Sequence, residues 1–253
     1  MLTIDLNCDM GESTLLWQYS IEKDIALLQY ISSMNLACGF HAGDAHTMHE
    51  LVDEALLAGV VIGAHPGFPD KENFGRSNMQ LPPVKLYDVV LYQLGALDAF
   101  LKIQGTRLHH VKPHGALYNM AAKDSVMADI VCKAIKEYNP DLILYGLSGS
   151  ELIQSANRIE LKNCSEVFAD RTYCDDGSLT ARSEANAMIE AEQESLQQVL
   201  QMIQQGMVNS TNGKQVAITA ETICIHGDGE HALAFAKTIH TALKQNHIEI
   251  SAI

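Results

Sequence analysis

Seven short apolar runs alternate with longer stretches of helical periodicity along the 253-residue chain, and this alternation restricts the fold more than any other feature. Runs at 2–6, 33–37, 59–63, 108–112, 141–145, 165–169 and 222–226 read as strands. Stretches at about 20–31, 46–57, 84–104, 124–138, 149–156, 184–205 and 230–245 read as helices. A strand that rejoins its sheet after a helix runs parallel to its predecessor, through a right-handed crossover. Seven such units predict an α/β fold, as a closed barrel or an open doubly wound sheet. Ser183 is placed to cap the 184–205 helix, and Gly206 follows its last turn. "NSTNGKQ", 209–215, sets Asn-Gly between β-prone flanks and predicts a hairpin turn before the last strand. No composition break marks a linker, so 1–253 is expected to form one domain.

Hydrophobic residues make up 47% of the chain and charged residues 19%, the balance of a packed globule. A formal net charge of −14 disfavours nucleic acid and anionic membrane surfaces as partners. No apolar run is long enough to span a bilayer, and the N-terminus lacks the pattern of a secretory signal. The six cysteines, at 8, 38, 132, 164, 174 and 224, include no C-x-x-C pair; reduced thiols and a cytoplasmic location are expected.

Parallel α/β folds gather their chemistry where strands end at their C-termini. Here the first strand is followed by Asn7, Asp9 and Glu12, the second by His41 and Asp44, and the third by His65 and Asp70. The fourth is followed by Lys112, His114, Tyr118 and Asn119, the sixth by Asp170, Arg171, Tyr173, Asp175 and Asp176, and the seventh by His226 and Asp228. Buried strands that repeatedly end in such groups imply a shared cleft. Any one histidine of this kind also fits a plain loop residue bonded to backbone. His46 and His49 read as a solvated helix start, and one of His109 and His110 is expected in the core, because neighbouring strand residues face opposite ways. The chain has no G-x-x-x-x-G-K-[ST] loop, no G-x-G-x-x-G after the first strand and no G-x-S-x-G elbow, so it carries no nucleotide-phosphate motif of its own.

"DLNCDMGE" (5–12), "NLACGFHAGD" (35–44), "GAHPGFPD" (63–70), "FGR" (74–76), "VKPHGALYN" (111–119), "EVFADRTYCDDGSL" (166–179) and "CIHGD" (224–228) together resemble the LamB/YcsF family, the A subunits of bacterial 5-oxoprolinases. The sequence departs from the family pattern in three places: Ser77 replaces a second arginine after "FGR", "RSEANAMI" (182–189) lacks a glycine, and His46 stands where the pattern has no fixed histidine, which lowers His46 as a ligand. The resemblance implies an irregular seven-stranded β/α (TIM-like) barrel akin to the glycoside hydrolase and deacetylase barrels. It implies ATP-dependent opening of 5-oxo-L-proline to L-glutamate, with partner subunits B and C binding ATP and activating the lactam by phosphorylation. By analogy with the deacetylase barrels, Asp9, His41 and His65 form an Asp-His-His set that grips a divalent metal or moves protons. His114 and His226 are further acid–base candidates, and Asp170 would orient a histidine or activate water. Lys112 and Arg171 would hold a substrate carboxylate or oxyanion, with Asn7, Glu12 and Asn119 as further substrate contacts. Self-association into a homo-oligomer stays open. The rival readings are a stand-alone metal-dependent carbohydrate deacetylase and a binding subunit without chemistry of its own.

Overall fold

The computed structural model describes residues 2–14, 20–226 and 232–253, with His226 described through its backbone alone. Its strands are β1 (Leu2–Met10), β2 (Ser33–Ala37), β3 (Val61–His65), β4 (His110–Val111), β5 (Ile143–Leu147), β6 (Asn163–Phe168), β7 (Met207–Asn209), β8 (Gln215–Ala217), β9 (Thr222–His226) and β10 (Ile248–Ile250). Its helices are α1 (Ile21–Leu27), α2 (Ala45–Ala58), α3 (Pro83–Ile103), α4 (Gly115–Ala121), α5 (Ser125–Tyr138), α6 (Glu151–Arg158), α7 (Glu192–Gln205) and α8 (Ala232–Gln245).

The strands run β1-β2-β3-β4-β5-β6-β9, all parallel, and β9 pairs back onto β1. That double pairing decides between the two architectures open to the sequence: the sheet is a closed seven-stranded barrel with helices around it. β4 is only two residues long, which makes the barrel irregular. β10 extends the sheet beside the start of β1, with Leu2 opposite Ile248. The hairpin expected around 209–215 is present as the antiparallel pair β7–β8, with Gly213 at φ 79 in the turn. Among the described residues, no helix is long and apolar enough to cross a membrane.

β1 runs four residues further than its apolar start suggests, so Asn7 and Asp9 lie within a strand rather than after it. Side chains alternate along a strand, which puts Asp5, Asn7 and Asp9 on one face and Leu6, Cys8 and Met10 on the other. The second set joins the apolar core under the helices, with Leu51 and Val52 of α2 and Leu94 and Leu97 of α3. The first set belongs to the barrel interior, which is polar: Ser33, Asn35, His110, Lys112, Glu166 and Thr222 are all buried there too. In register, Asp9 sits beside Asn35, Asn35 beside Gly63, and Gly63 beside His110. A Cβ at Gly63 would lie 2.1 Å from His110 Nε2, so the missing side chain lets that ring cross the strand and donate to Asn35 Oδ1 at 2.8 Å.

β3 and β5 each begin two residues later than the sequence pattern suggests, which makes His65 the last residue of its strand. α4 and β10 are elements that the periodicity did not reveal. The helix expected over 184–205 begins only at Glu192, with Ala191 rather than Ser183 at its N-cap. The reason lies in the preceding carbonyls: Ala187 O accepts from Thr172 N and Arg171 Nε, and Asp170 O binds Ile189 N. Residues 184–191 therefore pack as turns against 170–173 instead of winding into the helix.

Candidate active site

At the base of the barrel mouth the Lys112 ammonium lies 2.8 Å from Asp9 Oδ1 and 2.7 Å from Glu166 Oε1, with Asn7 Oδ1 at 3.2 Å and Cys224 Sγ at 3.0 Å. Burial alone would favour the neutral amine, but Asp9, then Cys224 and Glu166, outweigh it and push the Lys112 pKa well up. Asn7 uses both functions internally: its amide donates to Glu166 and Thr222, and its carbonyl accepts from Asn35 and Lys112. Tyr118 donates to the other Glu166 oxygen at 2.7 Å. Asp9 Oδ1 is thus held by both Asn35 (2.8 Å) and Lys112, while Oδ2 faces His65 Nε2 at 3.4 Å.

Above this floor, Glu12, His41, His65 and His114 converge, with one donor atom from each lying within 4.8 Å of the others. Backbone carbonyls set two of the imidazole tautomers. His65 Nδ1 lies 2.7 Å from Lys112 O and His114 Nε2 lies 2.8 Å from Phe74 O. A carbonyl only accepts, so each of those nitrogens carries the proton. Neutral rings then turn two lone pairs, His65 Nε2 and His114 Nδ1, toward each other at 3.0 Å. Glu12 Oε1 stands 2.9 Å from the second and 3.5 Å from the first. Three electron-rich atoms this close require a cation among them, either a proton or a metal ion. The donor set fits a divalent metal: two imidazoles and a carboxylate, with each imidazole anchored through its other nitrogen to a backbone carbonyl.

His41 stands differently. Its Nε2 is 3.0 Å from Glu12 Oε1, but its buried Nδ1 has no hydrogen-bond partner. A buried N–H without an acceptor is costly, so the proton belongs on Nε2 and is donated to Glu12. Burial, followed by the neighbouring His114, lowers the His41 pKa to about 3, which keeps the ring neutral. His114 and His41 outweigh burial at Glu12 and hold that carboxyl well below its ordinary value. At His65, Asp9 and Glu12 outweigh burial and raise the pKa. Two glycines make room for this packing. A Cβ on Gly67 would lie 2.6 Å from His41 Nδ1, and one on Gly75, at φ 64, would lie 2.6 Å from His41 Cβ and 2.8 Å from His114 Cδ2.

The cluster opens into a pocket of ≈ 860 Å³ lined by Asp9, Glu12, His65, Lys112 and His114, and also by Asn119 and Arg171. Asn119 also donates to Gly115 O in its own helix. Arg171 is buried, its Nε on Ala187 O and its Nη2 on Thr180 O. His41 is fully buried behind Glu12, and neither it nor Asp170, half-buried beside Arg171, is among the described lining residues. His226 ends β9 opposite Asp9 in register; its side chain, and Asp228, lie outside the described residues. Several other strand-tip residues serve the backbone. Asp44 caps α2, accepting from the amides of His46 and Thr47, and Asp70 accepts from Asn73 and Ser77. His46 and His49 are exposed beside Glu50 and Asp53 one helical turn on. Sequence reasoning missed Asn35 and Glu166. A signal was available in the amide and carboxylate interrupting otherwise strand-like runs.

Fold and site together define a β/α-barrel protein with a buried histidine–carboxylate centre at the C-terminal mouth of its strands. The LamB/YcsF family profile matches residues 4–253, and the chain belongs to the LamB/YcsF family. It is 54% identical over 253 residues to the 5-oxoprolinase A subunit of Bacillus cereus (strain AH187), covering 100% of this chain and 99% of that protein. The 5-oxoprolinase A subunit of Brevibacillus brevis is likewise 54% identical over 252 residues, covering 100% of this chain and 98% of that protein. Among solved structures, the lactam utilization protein from Thermus thermophilus superposes with a TM-score of 0.92 at 41% identity, covering 100% of both chains. A family 4 carbohydrate esterase from Streptomyces lividans shares the fold at a TM-score of 0.54 and 13% identity, covering 99% of this chain and 92% of that one.

Proposed function

We propose that this chain is the A subunit of an ATP-dependent 5-oxoprolinase, the component that opens the phosphorylated lactam ring of 5-oxo-L-proline to give L-glutamate. Two partner subunits, B and C, bind ATP and pass its terminal phosphoryl group to the lactam oxygen, so that ATP ends as ADP and, once the ring has opened, phosphate. The reading places the enzyme in the cytoplasm and uses 1–253 as one unit. The observation that carries it is the full-length likeness, at 54% identity, to proteins named as 5-oxoprolinase A subunits. The missing nucleotide-phosphate motifs support the division of labour.

The site supports hydrolysis of a cyclic amide. Asp9, fixed by Asn35 and Lys112, is the general base that takes a proton from the attacking water. The water oxygen bonds the phosphate-bearing ring carbon, both water protons pass by way of Asp9 to the ring nitrogen, and the C–N bond breaks; a second water then splits the resulting acyl phosphate into the glutamate carboxylate and inorganic phosphate. Lys112 keeps the Asp9 carboxylate ionised and ready for this cycle. Glu12, His65 and His114 would hold a divalent metal, with His41 bracing Glu12. Bound there, the metal supplies Lewis-acid polarisation of a carbonyl oxygen. His114 and His65 otherwise share a proton across their 3.0 Å contact.

The test is reconstitution. The purified chain alone should form no glutamate from 5-oxo-L-proline and hydrolyse no ATP, and adding subunits B and C should bring up both activities. A reconstituted mixture that hydrolyses ATP without opening the lactam, or a lone chain that releases acetate from acetylated sugars, would overturn the reading.

A further inference from the structure

The pocket wall runs against the charge of the chain. Acidic residues outnumber Lys and Arg by 31 to 17 over the whole sequence. Among the described residues lining the pocket, five are cationic (Arg76, Lys112, Lys123, Arg171 and Arg182) and four are carboxylates (Asp9, Glu12, Asp124 and Glu184). The two signs are also separated in depth. Asp9 and Glu12 are buried at the floor, where Lys112 answers part of their charge, whereas Arg76, Lys123 and Arg182 are exposed at the mouth. Of the two outer carboxylates, Asp124 already caps α5, accepting from the amides of Val126 and Met127.

The mouth cations come from three separate connections. Arg76 follows the 71–73 turn and lies over the Phe74 ring at 4.7 Å, Lys123 lies between α4 and α5, and Arg171 and Arg182 lie in the segment after β6. Arg171 is the informative one. It is buried, it donates to two backbone carbonyls, and a second guanidinium, Arg182, lines the same pocket. Burial and then Arg182 lower the Arg171 pKa to about 10, and Asp170 opposes that shift only in part. Arg171 is buried and Arg182 exposed, so an anion entering the pocket meets guanidinium charge at two depths of the same segment. Guanidinium pairs are suited to oxyanions with several acceptor oxygens.

We infer that the mouth of this pocket is an oxyanion subsite, with Arg171 and Arg182 from one segment and Arg76 and Lys123 from others, that takes the phosphoryl group of the activated substrate while the lactam ring reaches down to Asp9 and the histidines. The assignment to a phosphorylated lactam rests on the function proposed above. A single carboxylate occupies one guanidinium fork, so four cations around a pocket of ≈ 860 Å³ fit a ligand with more than one anionic group.

The test titrates the isolated, metal-free chain with inorganic phosphate and, separately, with acetate. Arg171→Gln removes a strut between two carbonyls and can fail to fold, so the informative variants are Arg182→Gln and Arg76→Gln. Phosphate should bind the unaltered chain, and each variant should weaken it about tenfold, the loss of roughly one charge-assisted contact. Melting temperature and divalent-metal titration should stay unchanged. Absent phosphate binding, equal binding by the variants, or acetate binding as tight as phosphate would overturn the subsite. If phosphate binds as expected but the reconstituted complex opens no lactam, the subsite stands and the proposed function falls. If the complex turns over 5-oxo-L-proline with an unchanged KM in both variants, the function stands and the subsite falls.

Discussion

The imidazoles of His41 and His114 stack with ring centroids 3.7 Å apart and planes 3° from parallel, yet the two rings have opposite duties. Two protonated rings at that distance would repel by about 4 kcal/mol at the effective dielectric of a protein site. The pair therefore carries at most one extra proton. His114 has its Nε2–H tied to Phe74 O and turns its other nitrogen to the pocket, whereas His41 has no acceptor at Nδ1 and donates backwards to Glu12.

That difference predicts unequal responses to mutation. His114→Ala and Glu12→Gln should abolish measurable binding of a divalent metal such as Zn²⁺ or Mn²⁺ to the purified chain. His41→Ala should weaken it by about 10–100-fold, as loss of an outer partner of a ligand does. Titration with a metal-sensitive dye separates the cases. If His41→Ala loses metal as completely as His114→Ala, His41 is itself a ligand.

Asp9 is predicted to act on water and Asn35 to act through Asp9. In the reconstituted complex, Asp9→Asn should lower glutamate formation by about 10²–10⁴-fold. Asn35→Ala should lower it less, leave KM unchanged, and shift the acid limb of the pH–rate profile, because Asp9 Oδ1 loses a hydrogen bond to its ionised form. An Asn35→Ala profile that overlays the unaltered one would leave Asn35 with a packing role only.

Lys112 is predicted to matter more for stability than its place at the site suggests. Lys112→Met leaves Asp9 and Glu166 buried without their shared cation, and breaking a buried pair from one side costs about 3–5 kcal/mol. Urea denaturation should show that loss, and adding Glu166→Gln should recover part of it. A midpoint unchanged by Lys112→Met would mean that the barrel interior is wetter than its burial implies.

Asp44 makes a prediction for the scaffold. Asp44→Ala removes the α2 cap and should destabilise the chain by about 1 kcal/mol. Backbone bonding from Thr47, opposed by slight burial and helped by His46, lowers the Asp44 pKa. A carboxylate lowered in this way stabilises the folded state above its unfolded pKa, and the benefit disappears as pH falls through its folded pKa. The gap between the two proteins in thermal melts should therefore be full at neutral pH and close in acid. A gap that persists below the carboxylate range would point to lost packing instead.

Much of the site was legible as composition at strand ends, because groups such as Asp9, Glu12, His65, Lys112 and His114 interrupt apolar runs that have no other need of them. The motif spacing was equally plain, and it led to the family that matches residues 4–253. Their duties were not legible. Lys112 reads as a cation for a substrate, but the structure turns it inward onto two carboxylates. Asp44 reads as a cleft residue and caps a helix, because a cap depends only on where the next helix starts. The 184–205 helix fails over its first eight residues because carbonyl acceptors there bind Arg171 and Thr172, partners distant in the chain.

By itself the sequence determined the alternation of strands and helices, the parallel sheet that follows from it, and the residue types at the strand ends, since these depend on periods of two and 3.6 and on neighbours within a few positions. Only the tertiary structure decided that β9 pairs with β1 to close the barrel, that His65 and His114 face each other across 3.0 Å while His41 stands behind Glu12, and that Arg171 and Arg182 line the same pocket. The physical reason is that ring closure, imidazole tautomers and buried charge are settled by acceptors and counter-charges far apart in sequence, which exist as neighbours only after the chain has folded.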